Sequence, residues 1–190
     1  RMLLEFQALP QGGSETDYVN WALAVPGVTR AWCVRRLMGV GTVGVYIMCD
    51  GDDQTNHGFP VGSDGISQYE EWGYYAKATG DQLRVADAIY PKQTVTALVY
   101  IASPIAKVID FTITGIIQQE ENVTETVSAA INEVFFTRGD PRGEGIITLS
   151  SINAAIAAIP GTDGFLIESP AQNIPLAIGE LPQLGRVTIT

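Results

Sequence analysis

Hydrophobic positions first fall into a helical rhythm at residues 14–25, where Tyr18, Trp21, Ala22 and Val25 stand at i, i+3, i+4 and i+7 and form one stripe. Ser14 supplies the start, because its hydroxyl can accept an orphan amide, and Asp17 favours the positive helix end. Pro26-Gly27 supplies the stop. Two β-rich runs, Val28 to Arg36 and Thr42 to Asp50, flank a Gly39/Gly41 connection and predict a hairpin. Residues 51–65 are polar and rich in Gly and Asp, a loop. Residues 66–79 crowd Tyr69, Trp72, Tyr74 and Tyr75 together without a clean period. A short helix follows from Asp81 as cap through Ile89, closed by Pro91.

Beyond it, Val95 to Ala102 and Ile105 to Ile116 read as successive strands, the second alternating Val108, Asp110, Thr112 and Thr114 against Ile109, Phe111 and Ile113. Asn122 to Phe136 predicts a helix with a capping-box-like Asn122/Glu125 start and a stripe of Val123, Val127, Ala130, Ile131 and Val134. A further helix at Ser150 to Ile159 and strands at Phe165 to Glu168 and Arg186 to Thr190 complete the chain. The stretch Gly179 to Gly185 reads as a loop, apolar enough to cover a core edge or to meet a partner through Leu181 and Leu184.

The pattern repeats. A shift of 134 positions carries Tyr18, Trp21, Ala22, Val25, Pro26 and Gly27 onto Ile152, Ala155, Ile156, Ile159, Pro160 and Gly161. Each copy continues into a strand and returns through a Gly-led strand, Gly41 to Val45 in the first and Gly185 to Ile189 in the second. The expected fold is therefore α+β in two small domains, 1–103 and 104–190, each laying helices on a small sheet and sharing a helix, Pro-Gly, strand, turn, strand unit. Residues 51–79 form a loop region inserted in the first.

Composition narrows the function classes. A chain of 190 residues buries about 70% of its unfolded surface, so a core forms without staples. The formal charge of -10 argues against a nucleic-acid partner, which calls for a cationic face. Two cysteines, Cys33 and Cys49, cannot build a disulfide framework or a four-cysteine zinc site, and a reducing compartment is expected. The most apolar stretch, Val95 to Ile113, is broken by Ser103-Pro104 and carries Lys107 and Asp110, so no membrane partner is expected either. The chain starts at Arg1 without an initiator Met or a basic-then-apolar leader, and reads as part of something longer.

Candidate chemistry is sparse. Gly39-Val-Gly41-Thr-Val-Gly44 carries the letters of a dinucleotide fingerprint, but the β-branched run after it offers no helix N-terminus to a phosphate, and a hairpin turn accounts for it better. Asp50, Asp52, Asp53, Asn56 and His57 form an oxygen-rich group suited to a hard cation, yet Gln54 and Val61 stand where a calcium loop would place further ligands, and turns ordinarily use these residues. His57, the one histidine, has neither cysteine near it in sequence. No catalytic set, metal site or cofactor is expected. The aromatics Tyr69, Trp72, Tyr74 and Tyr75, beside Glu70 and Glu71, suit packing of the insertion or a protein interface, and less readily carbohydrate or host-surface recognition.

Several segments in order resemble the baseplate J-like wedge proteins of contractile-tailed, Mu-like phages: Pro10 to Ser14, Asp17-Tyr-Val, Trp21-Ala-Leu, Val25 to Trp32, Gly41 to Val45, Val95-Thr-Ala, Asp110 to Ile113, and Gly179 to Gly185. They span nearly the whole chain, which is similar to the C-terminal portion of such proteins and is longer than the family pattern over residues 58–79. The resemblance implies a structural subunit of a phage or prophage tail baseplate, located in the virion and assembled in the bacterial cytoplasm. It implies no enzymatic activity. Its partners would be other wedge subunits and neighbouring copies of itself, while this stretch alone is expected to be monomeric in dilute solution.

Overall fold

The computed structural model describes residues 12–51, 56–71, 73–116 and 122–190. It divides into two compact units, 1–104 and 105–190. Each is a mixed α+β unit.

In the first unit, helix α1 (Glu15–Leu23) precedes a hairpin of β1 (Arg30–Arg35) and β2 (Thr42–Met48), and helix α2 (Gly80–Ile89) leads to β3 (Leu98–Ala102). The sheet order is β1-β2-β3, with β1 antiparallel and β3 parallel to β2. Ser14 and Asp17 form a full capping box: the Ser14 hydroxyl accepts the Asp17 amide, while the Asp17 carboxylate accepts the Ser14 amide. One core cluster joins Tyr18 and Ala22 of α1, Val85 and Ile89 of α2, and Val45, Ile47, Val99 and Ile101 of the sheet. Tyr46 and Met48 alternate with that face of β2 and are also buried, so β2 is covered on both sides.

The 59–79 segment, whose aromatics gave no period, is docked against the sheet and α2. Gly65 exchanges backbone hydrogen bonds with Ile101 of β3. Asp64 accepts the Ser103 amide at 2.8 Å, and Asp87 of α2 accepts from the Ser67 hydroxyl at 2.7 Å. Burial, reinforced by the Asp64 charge, pushes the Tyr46 and Tyr100 hydroxyls above the usual phenol range. The N-cap position of helix α2 is Thr79, two residues before the Asp81 that the pattern suggests, and the Thr79 side chain makes no cap bond. Asp81 instead accepts the Val61 amide at 2.7 Å and pairs with Arg84.

The second unit holds β4 (Ile105–Thr114), α3 (Val123–Arg138), β5 (Ile146–Ile147), α4 (Leu149–Ala157), β6 (Leu166–Ser169), β7 (Ile174–Pro175) and β8 (Glu180–Ile189). The alternation of β4 is realised: Ile109, Phe111 and Ile113 are buried, while Val108 and Asp110 are exposed. They pack with Val127, Ile131, Val134 and Phe135 of α3 and with Ile152 and Ile156 of α4. Asn122 caps α3 but makes no side-chain cap bond, because its backbone sits at φ -129 and ψ 19, away from the extended geometry a capping box uses.

The helical part of the repeat is reproduced in detail. Ser14 and Thr148, 134 positions apart, are both N-caps whose hydroxyls accept an amide three residues on. Both helices have nine residues and end on an alanine, Ala24 at φ -74 and Ala158 at φ -76. Gly27 and Gly161 then turn the chain at φ 93 and φ 85.

Pairing separates the copies afterwards. β1 pairs directly with β2, whereas β6 and β8 lie on either side of β4, antiparallel and parallel to it. The Gly41 strand is therefore central, while the Gly185 strand takes the edge place that β3 holds in the first sheet. Both sheets end with the same plan: a central strand, an antiparallel neighbour after the Pro-Gly-stopped helix, and a parallel neighbour.

Candidate interaction site

Of the three described aromatics of the segment, Tyr69 and Tyr74 are exposed and Tyr75 is half-buried. The Tyr75 hydroxyl donates to Met38 O at 3.1 Å and its ring meets Tyr100 edge-on at 6.1 Å. Tyr69, although exposed, lies 5.8 Å from the Tyr90 ring, at the end of α2. Tyr74 is 92% exposed. Trp72 lies outside the described residues. The segment thus uses two of its tyrosines to fasten itself to its own unit.

Leu181 and Leu184 require a correction. The stretch from Glu180 to Gly185 belongs to β8 rather than to a loop; Leu181 is buried and Leu184 packs against the core. Leu181 thus has no surface left for a partner, while Leu184 is half-buried on the edge strand. Pro182 is tolerated because β8 is an edge strand, and Gly185 marks a bulge. There the Asp110 carboxylate accepts the Arg186 amide at 2.7 Å, and a Cβ on Gly185 would overlap that carboxylate oxygen. The segment entering β8 is fixed by Lys107, whose ammonium donates to Glu180 Oε2 at 2.8 Å and Pro175 O at 2.9 Å. Lys107, aided by the Ala177 amide, holds the Glu180 carboxyl below the usual carboxylate range.

The oxygen-rich group is dispersed into structural work where it is described. Asp50 is engaged by Arg30, Nε to Oδ2 and Nη2 to Oδ1, both at 2.8 Å, and the Arg30 guanidinium lies 5.3 Å from the Trp32 ring. His57 is exposed in a left-handed turn, φ 51, beside Gly58, whose carbonyl accepts the Cys49 amide. Asp52 and Asp53 lie outside the described residues. Among the described residues no group of three His, Cys, Asp or Glu is placed to hold a metal ion, and no helix is long and apolar enough to cross a membrane. The fingerprint-like glycines follow hairpin geometry. Gly39 and Gly41 have positive φ, and Gly44 leaves room for Leu37, which a Cβ would meet at 2.5 Å.

One concave feature was not legible in the sequence. A cleft of about 430 Å³ opens in the first unit between Val40, Thr42, Glu70, Tyr75, Val95 and Leu98. Val40 and Val95 stand on its rim at 92% and 104% exposure, among the most exposed apolar side chains described. Its walls come from the β1–β2 connection, the inserted segment and the approach to β3. Val40 and Val95 lie in or beside segments of the family resemblance, but nothing local indicates that they share a cavity.

Profiles of the two parts of one family match this architecture. The Baseplate J-like central domain matches residues 10–103, and the Baseplate J-like protein C-terminal domain matches residues 109–190. The chain belongs to the Baseplate J-like family. Among its relatives, the JayE protein of Escherichia coli strain K12 is 32% identical over 190 residues, covering the whole of this chain and 64% of that protein. Baseplate protein gp47 of Escherichia phage Mu is 30% identical over 174 residues, 90% of this chain and 44% of that protein. The Mu-like prophage FluMu protein gp47 of Haemophilus influenzae is 54% identical over 50 residues, 26% of this chain and 14% of that protein. The chain thus spans less than two thirds of the length of each of these relatives.

Proposed function

We propose that this protein is a structural subunit of a phage or prophage tail baseplate, non-catalytic, acting through contacts with neighbouring copies of itself and with other baseplate proteins. The observation that carries this reading is the paired match to the central and C-terminal Baseplate J-like domains, in order along the chain, together with the relative in phage Mu named as a baseplate protein. The physical picture agrees with it. Described ionisable groups such as Asp50, Asp87, Asp110 and Glu180 hold strands, turns and segments in place and do not converge on a reacting centre. A protein that works by shape needs rigid, well-capped units, and rings of many subunits are built from heterologous contacts that close by rotation. The mature protein would reside in the virion tail after assembly in the bacterial cytoplasm.

Its test is biochemical. The intact protein, mixed with the neighbouring subunits of its own baseplate, is expected to co-elute with them as a complex of defined mass. A monomeric profile under those conditions would count against the assignment.

A further inference from the structure

We propose that the Val40–Val95 cleft receives an arginine side chain from a neighbouring subunit. The chemistry stands on the cleft itself, whereas the source of the side chain rests on the assembly role proposed above. A volume of about 430 Å³ lies within the range of specific binding sites. Isolated exposed valines are ordinary, but two almost fully exposed ones facing the same hollow leave apolar surface that a partner would cover.

The polar features say what kind of partner. Glu70 is half-buried in the cleft wall, and its Oε2 accepts from the Gln93 side-chain amide at 3.1 Å. Among the described contacts, Oε1 carries no hydrogen bond. The Lys77 ammonium donates to the Glu70 backbone carbonyl. Tyr75 is held by its hydroxyl bond to Met38 O and by its edge contact with Tyr100, so its ring is presented in a fixed position. Thr42 contributes no free donor, since its hydroxyl is bound to Gly39 O at 2.6 Å.

An occupant must therefore offer apolar length for the valines, a flat cationic face for the ring and donors for one carboxylate oxygen. Arginine meets all three needs. Its methylene stem packs on apolar surface, while its weakly hydrated planar guanidinium stacks on aromatic rings and bonds carboxylates. Lysine brings the stem and the charge without the planar face. The formal charge of -10 also favours a cationic group in any partner that docks here.

Methyl-labelled protein titrated with N-acetyl-argininamide tests the cleft by NMR. Saturable shifts are expected at the Val40, Val95 and Leu98 methyls. The neutral near-isostere N-acetyl-citrullinamide should bind about fivefold more weakly, and Glu70→Gln should weaken the arginine probe by a similar factor. Val95→Ser, at a side chain with no packing to lose, should weaken both probes. Absence of shifts at these methyls, equal binding of the citrulline probe, or unchanged binding by Glu70→Gln would overturn the proposal. Saturable arginine binding without co-elution of baseplate subunits would instead overturn the assembly role.

Discussion

Replacing Phe111 with alanine is expected to cost the 105–190 unit about 3–5 kcal/mol. Phe111 is 1% exposed at the centre of β4, and its ring lies 6.1 Å from that of Phe135 on α3. The same cluster contains Ile131, Ile152 and Ile156, each fully buried, so a cavity opened there is lined by side chains already fixed on two helices and cannot readily collapse. Domain stabilities are roughly 5–15 kcal/mol, which makes this loss a large fraction of the total. Denaturant unfolding should report it, with amide exchange accelerating in β4 and α3 while β2 keeps its protection. Phe111→Leu leaves a smaller cavity and should cost clearly less than the alanine variant. A loss below about 1 kcal/mol for the alanine variant would mean that this core is not packed as described.

Gly80→Ala should be costly for a different reason, at about 2–4 kcal/mol. Gly80 opens α2 at φ 60, and a Cβ there would overlap the Val61 carbonyl oxygen and stand 2.9 Å from Gly62 Cα. Gly62, at φ 149, has the reciprocal problem with the Thr79 carbonyl. Two backbones therefore cross in contact, locked by Asp81 N–H to Val61 O at 2.9 Å and Ser63 N–H to Thr79 Oγ1 at 2.9 Å. No side chain can swing aside to relieve such a clash. The Tm should fall and residues 61–66 should lose exchange protection. Gly73→Ala in the same segment, where a Cβ meets nothing within 4 Å, should stay within about 0.5 kcal/mol of the parent. Equal effects at positions 73 and 80 would contradict the crossing.

These two sites also mark how far the chain could be read before folding. Phe111 is legible because β4 alternates strictly, with one face of Ile109, Phe111 and Ile113. The α1 and α4 helices are legible because apolar stripes and Pro-Gly stops are local signals that recur at a shift of 134 residues, whereas the Thr148 cap, two residues before the expected start at Ser150, emerges only in the structure. The crossing at Gly62 and Gly80 leaves no local trace, because it depends on a segment returning from elsewhere to the start of a helix.

Nonlocal pairing also explains the misread end of the chain. Pro182 and Gly185 suggest a loop by composition, but the edge of a sheet accepts both residues. The pairing of β8 with β4 rather than with β6 is fixed by strands far apart in sequence. The cleft is the least legible feature, since Val40, Glu70 and Val95 come from three separate segments.

The most direct measurement is the location of the protein in assembled tails, by electron microscopy of purified particles carrying a gold-binding tag on this subunit. The account predicts label confined to the baseplate end, and loss of the baseplate from particles made without the protein. Label distributed along the sheath or tube, or complete baseplates in its absence, would contradict it.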